Sequence, residues 1–261
     1  MCNRFSLAWV MVIASAILCF ALADTRGAVG SQEIECPCIA DTMFSGHSAE
    51  HNTNCGKQTW LRLKGFQGIV VFKFDMSKLE GSKIEDATLR AYCLGIIGQG
   101  QSPLTLLDLQ ISTIAHDWIE GEGELYTPTD KASTYDYPGG DLGMEWAERD
   151  QDGQERNGVQ ITVEDVINGF GDSVLNSKIA EVTFEVGEWT EIPLDPELVQ
   201  DLLDGEQYGI VLWQPSWAIN LDVAPREESG GEHAATLIVH ATGAAVEPNA
   251  KVASTWGRLK S

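Results

Sequence analysis

The chain has 261 residues, with 39 acidic and 17 basic side chains, so its formal net charge is −22 and its pI is near 4.4. Hydrophobic residues make up 43% of the sequence, which is enough for a folded chain of one or two domains with its own core. Nucleic acids and anionic membrane surfaces are bound through many Lys and Arg side chains. Because this composition lacks them, we expect neither as a partner.

The first 23 residues have the features of a cleaved signal peptide. Arg4 is followed by an uncharged run over 5–23, which ends in Ala-Leu-Ala directly before Asp24. A signal peptidase accepts this ending, whereas an uncleaved membrane anchor is the alternative interpretation. Cleavage removes Arg4 and no acid, so the net charge changes from −22 to −23. We therefore expect a secreted, extracellular chain with no membrane span after cleavage.

A lead segment over 24–35 precedes a series of short strands, which the alternation of apolar and polar residues predicts. The first two strands cover 68–75 and 84–94. Six further strands are predicted at 104–111, 179–186, 190–194, 208–214, 218–223 and 236–241. Turn-forming Gly, Asn, Asp and Pro residues separate them.

Helical signals are confined to two short segments, 163–170 and 195–205. The second begins with an Asp cap and a Pro in its first turn, and it ends at Gly205. Many strands with few helices predict an all-β fold, a jelly-roll-like antiparallel β-sandwich with one or two short helices. The segment 120–157 has no clear period, and so long a loop is usually functional or disordered.

Four cysteines remain after signal cleavage: Cys36, Cys38, Cys55 and Cys93. An even number in an exported chain favours disulfides, with three possible pairings. Four buried free thiols are the alternative. A zinc knuckle is disfavoured because only one residue separates Cys36 from Cys38.

The sequence His47-Ser-Ala-Glu50-His51 has the H-x-x-E-H spacing of a zinc peptidase signature. That chemistry needs a helix that brings both histidines to one Zn²⁺ ion, with the glutamate as general base. Gly46 precedes the motif and 52–56 is rich in Asn and Gly, so one helical turn at most is expected. An exposed loop is the favoured interpretation, and a zinc peptidase is the weakest of the functional hypotheses.

Asp150 and Asp152 precede a glycine and resemble a fragment of a calcium-binding loop. Alternating oxygen donors around a sharp turn suit a hard cation, so calcium is the one cofactor that this pattern suggests. No glutamate follows at the twelfth position. A solvated acidic turn is the alternative.

Seven tryptophans remain in the mature chain, and aromatic rings of this kind stack on sugar rings. Trp213 lies in an apolar strand and is predicted to belong to the core. Trp217 follows Pro215, and Trp189 lies beside Gly187. We predict that these two are exposed and bind a ligand, with core packing as the alternative for each.

Several segments in chain order resemble the DNRLRE-type domain, also classed as carbohydrate-binding module family 96. They are 40–42 and 52–56 at the start, 68–75 and 79–92 in the centre, 118–121 and 143–146 as tryptophan-containing markers, 198–212, and 234–241 at the end. The resemblance covers about residues 36–242. It implies a jelly-roll-like sandwich that acts as an extracellular accessory or adhesive module, in some members binding anionic polysaccharide such as alginate.

Members that bind such polysaccharides resemble one another in basic residues around the early strands. This chain has Lys57, Arg62, Lys64 and Lys73 in that region. Its overall charge repels a polyanion unless these cations share one cleft. We therefore predict a secreted, non-catalytic module that binds a carbohydrate or another extracellular matrix component, without naming the glycan.

A linker and a basic, aromatic tail make up 243–261. The alternative function is a cell-surface structural or adhesion protein held by this tail, although a frayed terminus is also compatible with the sequence. No serine nucleophile elbow, phosphate-binding glycine loop or redox C-x-x-C motif occurs. We therefore predict no catalytic residues and no enzymatic activity.

Overall fold

The computed structural model describes residues 31–98, 101–147, 160–169 and 178–243, and antiparallel strands form most of its regular structure. The strands are β1 (Gln32–Phe44), β2 (Leu61–Leu63), β3 (Ile69–Phe74), β4 (Lys83–Gly98), β5 (Leu104–Thr113), β6 (Lys178–Phe184), β7 (Trp189–Leu194), β8 (Ile210–Trp213), β9 (Ile219–Val223) and β10 (Thr236–Thr242). One α-helix, α1 (Pro196–Leu203), lies within these ranges. Single 3₁₀ turns cover Gly65–Gln67, Ser77–Leu79, Gly140–Leu142 and Val163–Val166. A kinked turn lies at Glu228–Gly231, where Ser229 and Gly230 have positive φ.

Two long strands connect the parts of the sheet. The first half of β1 pairs with β10, and after a bulge its second half pairs with β3. β4 pairs with β10 and β7 in its first part and with β9 in its second. The order continues from β3 through β8 and β5 to β6. Bulges allow a long strand to bend, so that its two halves can pair with different strands in the two layers of a sandwich. The predicted all-β, antiparallel, sandwich-like fold with a short helix is confirmed.

The main core lies on the inner faces of these strands, as the alternation predicts. In β4, every second residue from Ala87 to Cys93 is buried, whereas Arg90 and Tyr92 on the opposite face are partly exposed. α1 closes this core with Leu198 and Val199. The periodicity of two therefore sets which face of β4 is inside.

A second hydrophobic cluster covers the opposite face of β3 and β8. Ile69, Val71 and Val211 pack there with Trp118 and Trp146, which come from the chain after β5. The segment 120–157, which was predicted to be irregular, contributes Trp146 to this cluster and so covers this face of β3 and β8. Because both faces of β3 and β8 are buried, these strands read as nearly continuous apolar runs.

The strand predictions hold from β3 to β10, but the beginning of the fold differs from its prediction. The lead segment was expected to extend to residue 35, whereas β1 begins at Gln32. Glu33 and Glu35 are exposed, whereas Ile34 is partly buried and Cys36 is buried. This alternation is typical of a strand that has one face in solvent. Two glutamates and a proline interrupt the apolar pattern from which β1 could have been predicted. β2 was also missed, since three residues are too few to establish a period.

The two helix predictions have different outcomes. α1 is confirmed, and the Asp195 side chain accepts a hydrogen bond from the backbone N–H of Glu197 at 3.1 Å, as its cap. The predicted α-helix over 163–170 was wrong for its described part, 163–169, where only the 3₁₀ turn Val163–Val166 forms. Val163, Val166 and Ile167 are buried in the second hydrophobic cluster. Tertiary packing therefore determines the conformation of this segment.

Within the described ranges, no helix is both long and apolar enough to cross a bilayer. The predicted signal peptide over 1–23, Asp150 and Asp152, and the tail beyond Gly243 lie outside the described residues.

Candidate functional site

The basic residues predicted to bind a ligand do not converge on one cleft. Lys64 lies beside Gly68 at the start of β3, with its backbone N–H 3.4 Å from the carbonyl oxygen of Gly68. Lys73 lies near the other end of β3, roughly 15 Å away at 3.3 Å per residue. Lys57 is exposed, and its Nζ is 3.8 Å from the Glu124 carboxylate. The condition under which this acidic chain would bind a polyanion is therefore not met by these lysines.

Arg62, which was predicted to bind a ligand, is buried and bonded within the chain. It is only 9% exposed, and its Nη2 donates to Glu50 Oε2 at 2.6 Å and to the carbonyl of Gln67 at 2.7 Å. Ser45 Oγ also donates to Glu50 Oε2, at 2.6 Å. Burial opposes ionisation of Glu50, but the hydrogen bonds from Ser45 and Arg62 outweigh it and hold the pKa of Glu50 below its ordinary value.

The zinc-peptidase motif does not adopt the helical geometry that its chemistry needs. Residues 47–51 form turns. Glu50 is held by Arg62, and His51 Nδ1 contacts the carboxylate of Asp136. His47 Nδ1 accepts from the backbone N–H of Ala49 at 3.3 Å, so each functional side chain of the motif has a partner within the chain.

Lys73 lies at the wall of a shallow cavity of about 230 Å³, which Phe74, Asp117 and Tyr208 also line. Its Nζ donates to Asp117 Oδ1 at 2.6 Å and to the carbonyl of Trp118 at 2.8 Å, and it lies over the Trp118 ring. The ammonium group is therefore already bonded internally. The cavity is smaller than the usual ligand pocket of about 300–1,000 Å³.

Cys36, Cys38, Cys55 and Cys93 are buried free thiols in the structure. Burial is the main cause that raises the pKa of Cys36 and Cys93 to about 11 and that of Cys55 to about 12. Such thiols are protonated at neutral pH and react slowly. The disulfide pairing stays a prediction.

Trp189 belongs to an aromatic cluster on the outer face of β4 and β7. Tyr92 and His233 stack with ring centroids 3.8 Å apart, and Trp189 packs edge-on against Tyr92 at 5.4 Å. The Arg90 guanidinium lies 5.0 Å from the centre of the Trp189 ring. Trp189 is half-buried, and these neighbours cover much of it, so it is the weaker of the two predicted platforms.

Trp217 is the exposed tryptophan that the sequence predicted, with 64% of its surface accessible. Its ring packs against Phe66 at 4.8 Å. It also lies over Gly65, where a Cβ atom would come within 3.3 Å of Trp217 Cδ1, and the φ of 50° at Gly65 also favours glycine. The Trp217 ring therefore packs against Phe66 and Gly65, and the rest of its surface is exposed to solvent.

A buried glutamine fixes the loop that carries Trp217. The Gln214 side chain is fully buried, and its Nε2 donates to the carbonyls of Ser216 at 2.7 Å and Ile219 at 3.2 Å. Its Oε1 accepts from the backbone N–H of Ser216 at 2.7 Å. One side chain thus holds both ends of the loop, so Trp217 is presented on a preorganised support.

A cluster of acids that the sequence analysis did not select lies where three parts of the chain meet. Asp41 is in β1, Glu120 follows β5, and Glu227 precedes the turn Glu228–Gly231. One carboxylate oxygen of each lies within 4.8 Å of the others. Arg226 Nη2 bonds to Glu120 at 2.7 Å and to Glu227 at 3.2 Å.

The electrostatics of this cluster oppose ionisation. Burial raises the pKa of Asp41 to about 7, and the carboxylates of Glu227 and Glu120 add to the rise that the Arg226 backbone N–H opposes. Burial and Glu120 likewise raise the pKa of Glu227, against the attraction of Arg226. Among described residues, this is the group of acidic, His or Cys side chains close enough to share a metal ion.

Sequence reasoning missed the cluster because its members are dispersed in a chain with 39 acids. A usable signal exists at Asp41, which interrupts an otherwise apolar stretch of β1 and is buried. In comparisons with known proteins, no family model and no curated protein matches this chain.

Proposed function

We propose that the protein is a secreted, non-catalytic module that binds a carbohydrate of the extracellular matrix, with Trp217 as the stacking platform. The observation that carries the proposal is the exposure of Trp217 on a loop that the buried Gln214 side chain holds at both ends. The sandwich-like fold and the resemblance to the DNRLRE-type domain support the same assignment.

An indole that is 64% exposed offers a large apolar surface to a ligand. A sugar ring stacked on it would remove on the order of 50–100 Å² of apolar surface from water, worth about 1–2 kcal/mol. Because Gln214 and Phe66 hold the ring in place, little conformational entropy is lost on binding.

The charge of the chain favours a neutral glycan over an anionic one. The mature chain is strongly acidic, and Lys64 is the predicted cation nearest to this platform, since it adjoins the Gly65–Gln67 turn. Lys73 and Arg62 are bonded internally. One lysine does not offset the repulsion of a polyanion by the whole surface.

Affinity electrophoresis of the full chain through gels containing neutral or acidic polysaccharides tests the proposal. We expect at least one neutral polysaccharide to retard the wild type. Trp217→Ala should weaken this binding about tenfold, which corresponds to the loss of about 1.4 kcal/mol of stacking.

Two control variants separate stacking from a general loss of apolar surface. Leu107→Ala removes another exposed apolar side chain, 68% accessible, and should bind as the wild type does. Trp217→Phe keeps an aromatic ring and should bind with intermediate affinity. Absence of retardation by every polysaccharide, or equal retardation of Trp217→Ala and wild type, would contradict the proposal.

A further inference from the structure

Two buried carboxylate oxygens in one cluster have no hydrogen-bond partner among the described residues. Asp41 is 1% exposed, and its Oδ2 accepts from the Arg226 backbone N–H at 2.8 Å, whereas its Oδ1 is unpaired. Glu227 directs Oε1 to Arg226, and its Oε2 is unpaired and buried. Unpaired buried carboxylate oxygens are costly, and they are the groups that a cation would satisfy.

The charges of the cluster do not balance within the chain. When all three carboxyl groups are ionised, Asp41, Glu120 and Glu227 supply three negative charges, and Arg226 supplies one positive charge. Among described residues, no second Lys or Arg is bonded to these three carboxylates. The remaining two negative charges equal the charge of one divalent cation.

The donor set indicates what kind of ion fits. All three ligands are carboxylate oxygens, which hard cations prefer. Oxygens that share one Ca²⁺ ion lie at about 2.3–2.6 Å from it, so they lie up to about 5 Å from one another, and the 4.8 Å spacing meets this limit. The nearby Cys38 Sγ donates to Asp41 Oδ2 at 3.5 Å and is therefore a thiol, not a soft-metal ligand.

We propose that Asp41, Glu120 and Glu227 form a calcium-binding site that joins β1, the segment after β5 and the turn before β10. Arg226 remains bonded to Glu120 and Glu227 and holds their side chains in position for the ion. Calcium is favoured over magnesium because it accepts irregular arrangements of ligands, whereas magnesium demands near-ideal octahedral geometry. The site is distinct from the Trp217 platform.

Isothermal titration of the EDTA-treated, dialysed full chain with CaCl₂, together with thermal unfolding in CaCl₂ and in EDTA, tests this site. We expect one equivalent of Ca²⁺ to bind. The melting temperature should rise by about 5–10 °C when the calcium concentration is a hundred times the dissociation constant. Neither readout involves a glycan, so the outcome is independent of the proposed function.

Asp41→Asn and Glu227→Gln should each lower calcium affinity at least tenfold, whereas Glu80→Gln, which removes an exposed acid elsewhere, should leave it unchanged. Glu227 lies at the margin of the cluster, so its variant tests the site even if Asp41→Asn does not fold. The proposal is overturned if the wild type binds no calcium at up to about 10 mM, above the range of extracellular modules. Unchanged affinity in both variants, or tighter binding of Mg²⁺ than of Ca²⁺, would overturn it as well.

Discussion

Glu50 and Asp41 are both buried carboxylates, and they differ in what surrounds them. Glu50 accepts hydrogen bonds from Ser45 and from the guanidinium of Arg62, each at 2.6 Å. Asp41 accepts from a backbone N–H and a thiol, while the nearest guanidinium bonds to Glu120 and Glu227 instead. One carboxylate has a cation of its own, and the other shares a cluster in which acids outnumber bases.

The pKa directions follow from this difference. Ser45 and Arg62 overcome the burial of Glu50 and lower its pKa, whereas burial raises the pKa of Asp41 to about 7. A buried acid that is paired and ionised belongs to the framework of the fold. A buried acid that is held among like charges destabilises the native chain, so its presence points to a function that offsets this cost.

The largest effect is expected when the paired carboxylate is neutralised. Glu50→Gln leaves the buried Arg62 without the carboxylate to which it is bonded, which should lower the free energy of unfolding by about 3–5 kcal/mol. Urea denaturation followed by tryptophan fluorescence measures the change, through the midpoint at constant slope.

The double variant Glu50→Gln with Arg62→Met is the control for this prediction. It removes the orphaned charge together with its partner, so it should recover part of the lost stability. A Glu50→Gln protein within about 0.5 kcal/mol of the wild type would show that the two buried acids do not differ in the way described.

Neutralising Asp41, whose carboxylate has no cation of its own, should change the free energy of unfolding in the opposite direction. In EDTA at neutral pH, Asp41→Asn should raise the free energy of unfolding by about 2 kcal/mol, because it removes a buried charge repelled by Glu120 and Glu227. Asparagine keeps an oxygen that accepts from the Arg226 N–H. Denaturation of both proteins in EDTA and in calcium provides the measurement.

With saturating calcium the gap should narrow, since the wild type gains more binding free energy from the ion, and an affinity loss greater than about thirtyfold in Asp41→Asn should reverse the order. Destabilisation by Asp41→Asn in EDTA, of the size expected for Glu50→Gln, would mean that Asp41 is a framework residue as well. The difference between the two regions would then be lost.

Much of the framework could be predicted from the sequence because local patterns encode it. Alternation in β4, and the Asp195 cap with Gly205 at the end of α1, are visible in consecutive residues. Strand β1 was harder to predict, because two glutamates in its first half remove the apolar signal. Its pairing with β10 supplies the order that its own sequence does not indicate.

The candidate sites likewise differ in whether consecutive residues predict them or only the fold brings their residues together. Trp217 could be predicted to be exposed, since Pro215 and a turn precede it. The burial of Arg62 could not, because its partner Glu50 lies on a separate turn and nothing in the intervening sequence fixes their distance. The acidic cluster joins residues from three distant segments, so only the fold brings them together.

Asp222 is an intermediate case between the two carboxylates, and it is expected to give the smallest effect. It lies opposite Arg62 in the pairing of β9 with β2, and its Oδ1 has no hydrogen-bond partner among the described residues. Burial raises the pKa of Asp222 from 3.8 to about 6, and the charge of Arg62 opposes this rise without cancelling it. The native state therefore binds this proton more tightly than the unfolded chain does.

The contribution of Asp222 to stability is accordingly fully present below pH 3.8 and is lost as the pH rises through about 6. Asp222→Asn cannot ionise, so it should be more stable than the wild type by about 1 kcal/mol at pH 8, after allowance for solvent screening, and nearly equal to it at about pH 4. Urea denaturation at both pH values measures this, with Glu80→Gln as the control for the loss of one surface charge. If Asp222→Asn is the less stable protein at pH 8, attraction to Arg62 outweighs burial, and Asp222 belongs with Glu50 as a framework acid.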